Sequence, residues 1–349
     1  SDRISSSLAW EEQINAWVLA VKNLGIRKIQ GEIIGDASKW EKALANPSWA
    51  WEDLGNYYGA GSCALSFHEN MYFLFFRPGN EVGEKATILR TDPAIFNLSF
   101  QNEVKTGPAG SGDGACIYGS EFSLFQTIRG TIPAGVQEFS IKGAIPDPSA
   151  FCAHLLDQAL QAEGVSIDHQ KLSQHGKRVI FHTTESPTVE EIVYWTNQKS
   201  INLYAEHLLK KIGEVVNHEG STAAGARAIA DFWRAQKIDL DGFNIADGSG
   251  LSRKNLMTPK QFVSLLVKMK KSDLFPSFYR SLPEQKGGML AKRGSMSLVK
   301  CYVGYAGDVA FAILANQCLD QQKVNEKIDS ILSQLQRVPK KRIVIDPLK

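Results

Sequence analysis

The chain has 349 residues, with 43% hydrophobic and 22% charged residues and a formal net charge of +2. That balance suits two or three globular domains, and the chain is long enough to bury a core without disulfides or metals. The charge is too small to argue for nucleic acid or an anionic membrane surface, and no apolar run approaches the roughly 20 residues that span a bilayer.

The first residues, Ser1-Asp2-Arg3-Ile4, lead straight into Trp10 and an amphipathic stretch. No charged region followed by an apolar one is present, so the protein is either cytosolic or has lost the start of its gene product. Helical spacing is expected over about 9–24 and again over 148–163, where Phe151, Leu155, Leu156, Ala159 and Leu160 share a face. Between them, short strands are expected at Ile29–Ile34, Met71–Phe76, Ile95–Phe100 and Phe139–Ile145, with a glycine-rich loop at Lys105–Gly114.

From about 178 the pattern changes to strands alternating with capped helices. A strand is expected at Arg178–His182, then a helix capped by Thr188 with Glu191 three residues on. Further helices are expected over about Leu203–Glu214 and after Ser221, the latter with Ile229, Phe232 and Trp233 on one side. Thr258 and Pro259 open another, with Phe262, Leu265, Leu266 and Met269 inward. Two strands, about Ser297–Tyr305 and Val309–Asn316, flank the turn Ala306-Gly307-Asp308. A last helix over about Gln322–Gln336 carries the stripe Val324, Ile328, Leu332 and Leu335, and a basic tail, edge strand or loose, follows from Arg337. This order divides the chain into a β-rich part, residues 1–175, and a helix–sheet–helix part, residues 176–349.

Three short segments can carry chemistry. Ser200-Ile201-Asn202 lies where a loop enters a helix; both residue types cap helices, and both can face a cleft to relay a proton and hold an amide. Asp247-Gly248-Ser249-Gly250-Leu251-Ser252-Arg253 is a tight loop whose order is not that of a nucleophile elbow. Lys292-Arg293-Gly294-Ser295 can offer a cation and a hydroxyl to an anionic terminus, with Gly294 permitting close backbone approach. The seven histidines show no ligand spacing and the five cysteines no CxxC pattern, so zinc and thioredoxin-like chemistry are not indicated; an odd cysteine number leaves at least one thiol free.

Taken in order, S-x-N, DGSGLSR and K-x-G-S resemble the motifs of penicillin-binding serine peptidases. The longer strings SINLYAEHLLK, DGSGLSRKNLMTP and MLAKRGSMSLVKCYVGYAG are similar to the D-alanyl-D-alanine carboxypeptidase/endopeptidase family typified by low-molecular-mass class C penicillin-binding proteins. GEIIGDASKW, PSWAWEDLGNYYGAGSCAL and GSGDGACIYG resemble that family's insertion domains, so the likeness covers nearly the whole chain.

The resemblance implies an α/β (α+β) fold: a β-lactamase/transpeptidase-like domain with helices around an antiparallel sheet, plus β-rich insertion domains. It implies acyl transfer to a serine followed by hydrolysis, with peptidoglycan stem peptides as substrate and β-lactam antibiotics as ligands. Ser200 would relay a proton, Asn202 hold the substrate amide, and Lys292 lower the pKa of the relay. Ser295 would receive the terminal carboxylate, Gly294 would let the substrate backbone approach, and Asp53 would contact an amino group of the stem peptide. Glu206 belongs to the family pattern as a buttress. No metal or organic cofactor is implied and no nucleic acid; the setting would be periplasmic or otherwise extracytoplasmic, compatible with peripheral membrane association.

The family's nucleophile is the serine of S-x-x-K on a helix before the insertion domains, where the lysine one turn on can accept its proton. The only S-x-x-K here is Ser297-Leu298-Val299-Lys300, in an expected strand, where positions i and i+3 point to opposite faces. Lys105-Thr106-Gly107 spells the third motif but stands in the insertion region. The expectation is therefore a missing nucleophile, with a signal peptide and S-x-x-K helix upstream of Ser1. Arg293 stands at the usual threonine of the third motif, which changes the size and charge of the pocket, and the stretch Pro283–Gly288 is short for the family. The rival readings are a non-catalytic wall- or penicillin-binding protein and a serine β-lactamase or esterase of the same fold. A β-lactamase is compact, which the large first half opposes.

Overall fold

The computed structural model describes residues 10–170, 178–285 and 287–337, in two compact units that divide between Pro187 and Thr188. The residues before Trp10 and the basic tail beyond Arg337 lie outside the described residues.

The first unit opens with helix α1 (Trp10–Asn23) and strand β1 (Lys28–Ile29). Of the expected strand Ile29–Ile34 only Ile29 is in a ladder, because side chains and turns take the rest of its backbone. Gly31 N donates to the Asp168 carboxylate at 2.7 Å, and Gly31 itself has φ 117°. A short helix α2 (Trp51–Leu54) follows, then β2 (Met71–Arg77), β3 (Thr87–Asp92), β4 (Ser99–Gly107), β5 (Gly114–Tyr118), β6 (Phe125–Pro133) and β7 (Phe139–Ala144). Helix α3 (Pro148–Ala162), capped by Asp147, and β8 (Ser166–Ile167) complete it.

These strands form two three-stranded sheets, β3-β2-β7 and β4-β6-β5, and a short parallel β1–β8 pair. Tyr72, Leu74, Phe76, Val104, Ile117, Ile128 and Ile132 are fully buried between them, with Ile14, Val18 and Val21 of α1 and Phe151 and Leu160 of α3 in the same core. Two expectations shift here. Residues 95–98 form a turn, with Ile95 N on Thr91 Oγ1 and Asn97 at φ 56°, so the strand starts at Ser99. The expected loop Lys105–Gly114 narrows to residues 108–113: Lys105, Thr106 and Gly107 pair in register with Thr131, Ile132 and Pro133. Thr106 is buried and its Oγ1 accepts from Gly79 N at 2.7 Å, so this KTG triplet serves the sheet.

Arg178–His182 is not a strand. It has no ladder partner among the described residues, and Val179, Ile180 and Phe181 are 73%, 85% and 54% exposed. Thr184, just beyond, accepts hydrogen bonds from Gln13 and Trp17 of α1.

The second unit holds α4 (Val189–Lys199), α5 (Asn202–Asn217), α6 (Thr222–Ala235), α7 (Pro259–Met269), α8 (Phe275–Ser281), β9 (Glu284–Gln285), β10 (Met289–Met296), β11 (Val299–Ala306), β12 (Val309–Ala315) and α9 (Gln321–Arg337). Thr188, Ser221 and Thr258 cap as expected, the last in a capping box with Gln261. Helix α6 does not bury Phe232, which is 57% exposed; it buries Ala224, Gly225 and Ala228, whose small side chains allow close packing on α5.

The sheet is antiparallel, in the order β12-β11-β10-β9. Strand alternation sends Met289, Ala291 and Phe311 onto Ile328 and Leu332 of α9. It sends Leu290, Val303 and Tyr305 onto Leu266, Phe275 and Leu282 on the side of α7 and α8. Ser297 and Leu298 are the two-residue turn closing β10 on β11, with Leu298 at φ 64°, so Ser297–Lys300 runs round a hairpin tip, neither on a helix nor in one strand. Among the described residues no helix is long and apolar enough to cross a membrane, no cluster of three His, Cys, Asp or Glu could hold a metal, and no two cysteines form a disulfide.

Candidate active site

Ser200 ends α4 in the left-handed region, at φ 56° and ψ 46°, and α5 starts two residues later at Asn202. Neither Ser200 nor Asn202 caps that helix: the N-cap is Ile201, which has no capping side chain. The plain reading of S-x-N as a helix N-cap therefore does not hold. The Ser200 hydroxyl instead accepts a hydrogen bond from the Lys292 ammonium at 2.7 Å, across 92 residues of sequence.

Lys292 reaches it from the middle of β10, on the face it shares with Leu290 and Gly294. Its ammonium also donates to the Arg293 carbonyl at 3.0 Å. Burial holds the Lys292 pKa below the usual lysine range, and the neighbouring Arg293 charge pushes the same way. A cation on a hydroxyl in a half-buried setting stabilises the deprotonated hydroxyl, which is what a proton relay needs.

The DGSGLSR loop is built from within. Asp247 is buried, and its carboxylate accepts from Gly250 N at 2.8 Å, Ser252 N at 2.6 Å and Asn255 Nδ2 at 2.6 Å. Glu206, one turn along α5 from Asn202, is 2% exposed and accepts from Gly248 N at 3.0 Å and Ser249 N at 2.7 Å. Burial raises the Glu206 pKa. Gly248 is pressed so closely on α5 that an added Cβ would lie 2.4 Å from the Ala205 carbonyl oxygen. At the other end, Arg253 donates to the Ser297 carbonyl at the hairpin tip at 3.4 Å. The loop thus ties the Ser200–Asn202 helix to the β10–β11 hairpin.

Gly294 is exposed and pairs with Cys301, and a Cβ placed on it would meet only the Cys301 Cβ, at 3.7 Å. Ser295 stands on the other face of β10 from Lys292, and its Oγ accepts from Lys300 Nζ at 2.7 Å. Lys300 is the partner that sequence reasoning missed. A two-residue turn at Ser297-Leu298 would have placed Lys300 opposite Ser295, but leucine hides a turn that normally advertises itself by glycine or asparagine. Asp53 belongs to the first unit, in α2, hydrogen-bonded to the Tyr58 hydroxyl; burial first, then Asp53, raises the Tyr58 pKa.

The profile of the D-Ala-D-Ala carboxypeptidase 3 (S13) family matches residues 9–338. The chain belongs to the S13 family. Among curated relatives it is 26% identical over 349 residues to a D-alanyl-D-alanine carboxypeptidase of Actinomadura sp. (strain R39), covering 87% of this chain and 63% of that one. It is 23% identical over 269 residues to the D-alanyl-D-alanine carboxypeptidase DacB of Haemophilus influenzae, covering 75% and 55%. The chain thus spans less than two thirds of the length of these S13 relatives. The crystal structure of penicillin binding protein 4 (dacB) from Haemophilus influenzae superposes with a TM-score of 0.76 at 18% identity, over 93% of this chain and 79% of that one. The expected mixed α/β architecture is therefore the fold of this S13 member.

Proposed function

We propose that this chain supplies the second and third motifs of a serine-type D-Ala-D-Ala carboxypeptidase/endopeptidase that cleaves peptidoglycan stem peptides outside the cytoplasm through an acyl-enzyme and binds β-lactams. The observation that carries the reading is the 2.7 Å contact from Lys292 Nζ to Ser200 Oγ, which no local structural need accounts for. In this reading the nucleophilic serine comes from an S-x-x-K segment, since the single match in this sequence is spent on a hairpin turn.

Ser200 passes the nucleophile's proton toward the leaving amine, and Lys292 stabilises the transient Ser200 alkoxide. Asn202 holds the substrate amide. The substrate backbone lies along β10, whose outer edge pairs with β9 only at Met289 and Leu290 and has no further strand partner among the described residues. Exposed Gly294 leaves that edge open. Ser295 receives the terminal carboxylate, and a backbone N–H just after it contributes to the oxyanion hole. Asp53 is assigned an amino group of the stem peptide from the family resemblance.

The test is intact mass after incubation with a β-lactam. The full-length gene product should gain one adduct, and Ser200→Ala or Lys292→Ala should slow its formation about 100-fold or more. This chain alone should gain none; an adduct on it would place a nucleophile among these residues. A full-length product that never labels would overturn the catalytic reading in favour of a non-catalytic wall-binding protein.

A further inference from the structure

We propose that Arg293 and Lys300 determine specificity at the Ser295 subsite, making it a two-cation pocket that selects a peptide ending in a free carboxylate. The inference rests on the reading of β10 as the substrate strand and adds two residues to it.

The register pairs Arg293 with Tyr302 and Ser295 with Lys300. Alternation therefore puts Arg293, Ser295 and Lys300 on one face of the hairpin, opposite the face that carries Lys292 and Gly294. Arg293 and Lys300 are diagonal neighbours, about 7–8 Å apart by strand geometry, so a guanidinium and an ammonium can both reach an anion beside Ser295. Further along the same face Met289 and Ala291 are covered by α9, while Arg293 and Ser295 are exposed. The cationic part is thus the open part.

The Lys300 ammonium donates to Ser295 Oγ at 2.7 Å. A serine hydroxyl has one hydrogen to give and two lone pairs to receive. With a lone pair taken by Lys300, the Ser295 O–H is turned away from the ammonium and is free to donate to a ligand oxygen. Among the described residues neither Arg293 nor Lys300 is in a salt bridge. Two cations on one face with no carboxylate between them repel each other, and an anionic group bound at Ser295 relieves both while accepting charge-assisted hydrogen bonds. Arginine adds a planar fork that fits the two oxygens of a carboxylate, which the family's usual threonine does not offer.

The experiment is calorimetric titration of the chain with N-acetyl-D-Ala-D-Ala and with its C-terminal amide. The wild type should bind the acid about tenfold or more tightly than the amide. Lys300→Gln and Arg293→Thr should each cut that preference by about threefold or more. Both positions are away from the buried core, so the variants keep the fold. Full preference retained in both variants overturns the inference while leaving the site reading intact. A wild type that binds neither peptide overturns the site reading itself, and this inference with it.

Discussion

Ser200 holds a left-handed backbone that serine adopts at a cost of about 1 kcal/mol or more, and the cost is met at the joint of two helices where the hydroxyl must face Lys292. A second strained place lies in the first unit. His68, Glu69 and Asn70 follow one another at φ 52°, 51° and 51°. Asn70 is buried and bonded to Phe67 N, Gly61 O and Ser66 Oγ, so it locks the turn. His68 packs edge-on against Trp10, and its Nε2 is buried without a hydrogen-bond partner among the described residues. Burial lowers the His68 pKa from 6.5 to about 4. Between those values the unfolded chain binds more protons than the folded one, so the sign is fixed: stability is complete above about pH 6.5, falls as pH drops toward 4 and then levels off. The fall should reach up to about 1.4 kcal/mol per pH unit. Urea midpoints followed from pH 7 to 4 should show it, and His68→Phe should flatten the slope. An unchanged slope in that variant would assign the pH dependence to other groups.

At the scale of elements, the close pair is α5 and α6. A Cβ at Gly225 would lie 2.0 Å from the Leu209 carbonyl oxygen, a backbone atom that cannot turn aside. Gly225→Ala should therefore cost about 1–3 kcal/mol despite the better helix propensity of alanine, and Phe232→Ala on the exposed face should stay within about 0.5 kcal/mol. Thermal unfolding of the two variants reads the contrast; equal losses would mean that α6 packs through its aromatic side. Helix α5 also carries the site, because Glu206 pins the 247–253 loop from the turn after Asn202. Elements with explicit end signals were legible: Thr188, Ser221 and Thr258 start their helices where the sequence reading puts them. Elements whose backbone is claimed by distant side chains were not, as Ile29–Ile34 shows through the Gly31–Asp168 bond.

For the whole molecule, the division falls at Pro187 and Thr188, twelve residues beyond the sequence-based boundary at 175, because Thr184 is bonded to Gln13 and Trp17 of the first unit. The apolar run Val179–Phe181 reads as a strand by composition yet is exposed and has no strand partner among the described residues. Brief chymotrypsin treatment should cut after Phe181 before any other aromatic site and leave two fragments that resist further digestion. Early cuts within either unit's core, with Phe181 intact, would show that this segment is covered in solution.

The sequence by itself determined the family, the mixed α/β class, the helices with strong caps and the three candidate segments for chemistry. Each of these rests on residue types at short spacing, which survive without coordinates. Only the tertiary structure decided that Ser200 meets Lys292 and closes α4 without capping the start of α5, that Lys105-Thr106-Gly107 is a strand end, and that Lys300 stands on Ser295. Those outcomes depend on strand register and on which face a side chain takes. A shift of one residue reverses a face, and neither composition nor motif order specifies it.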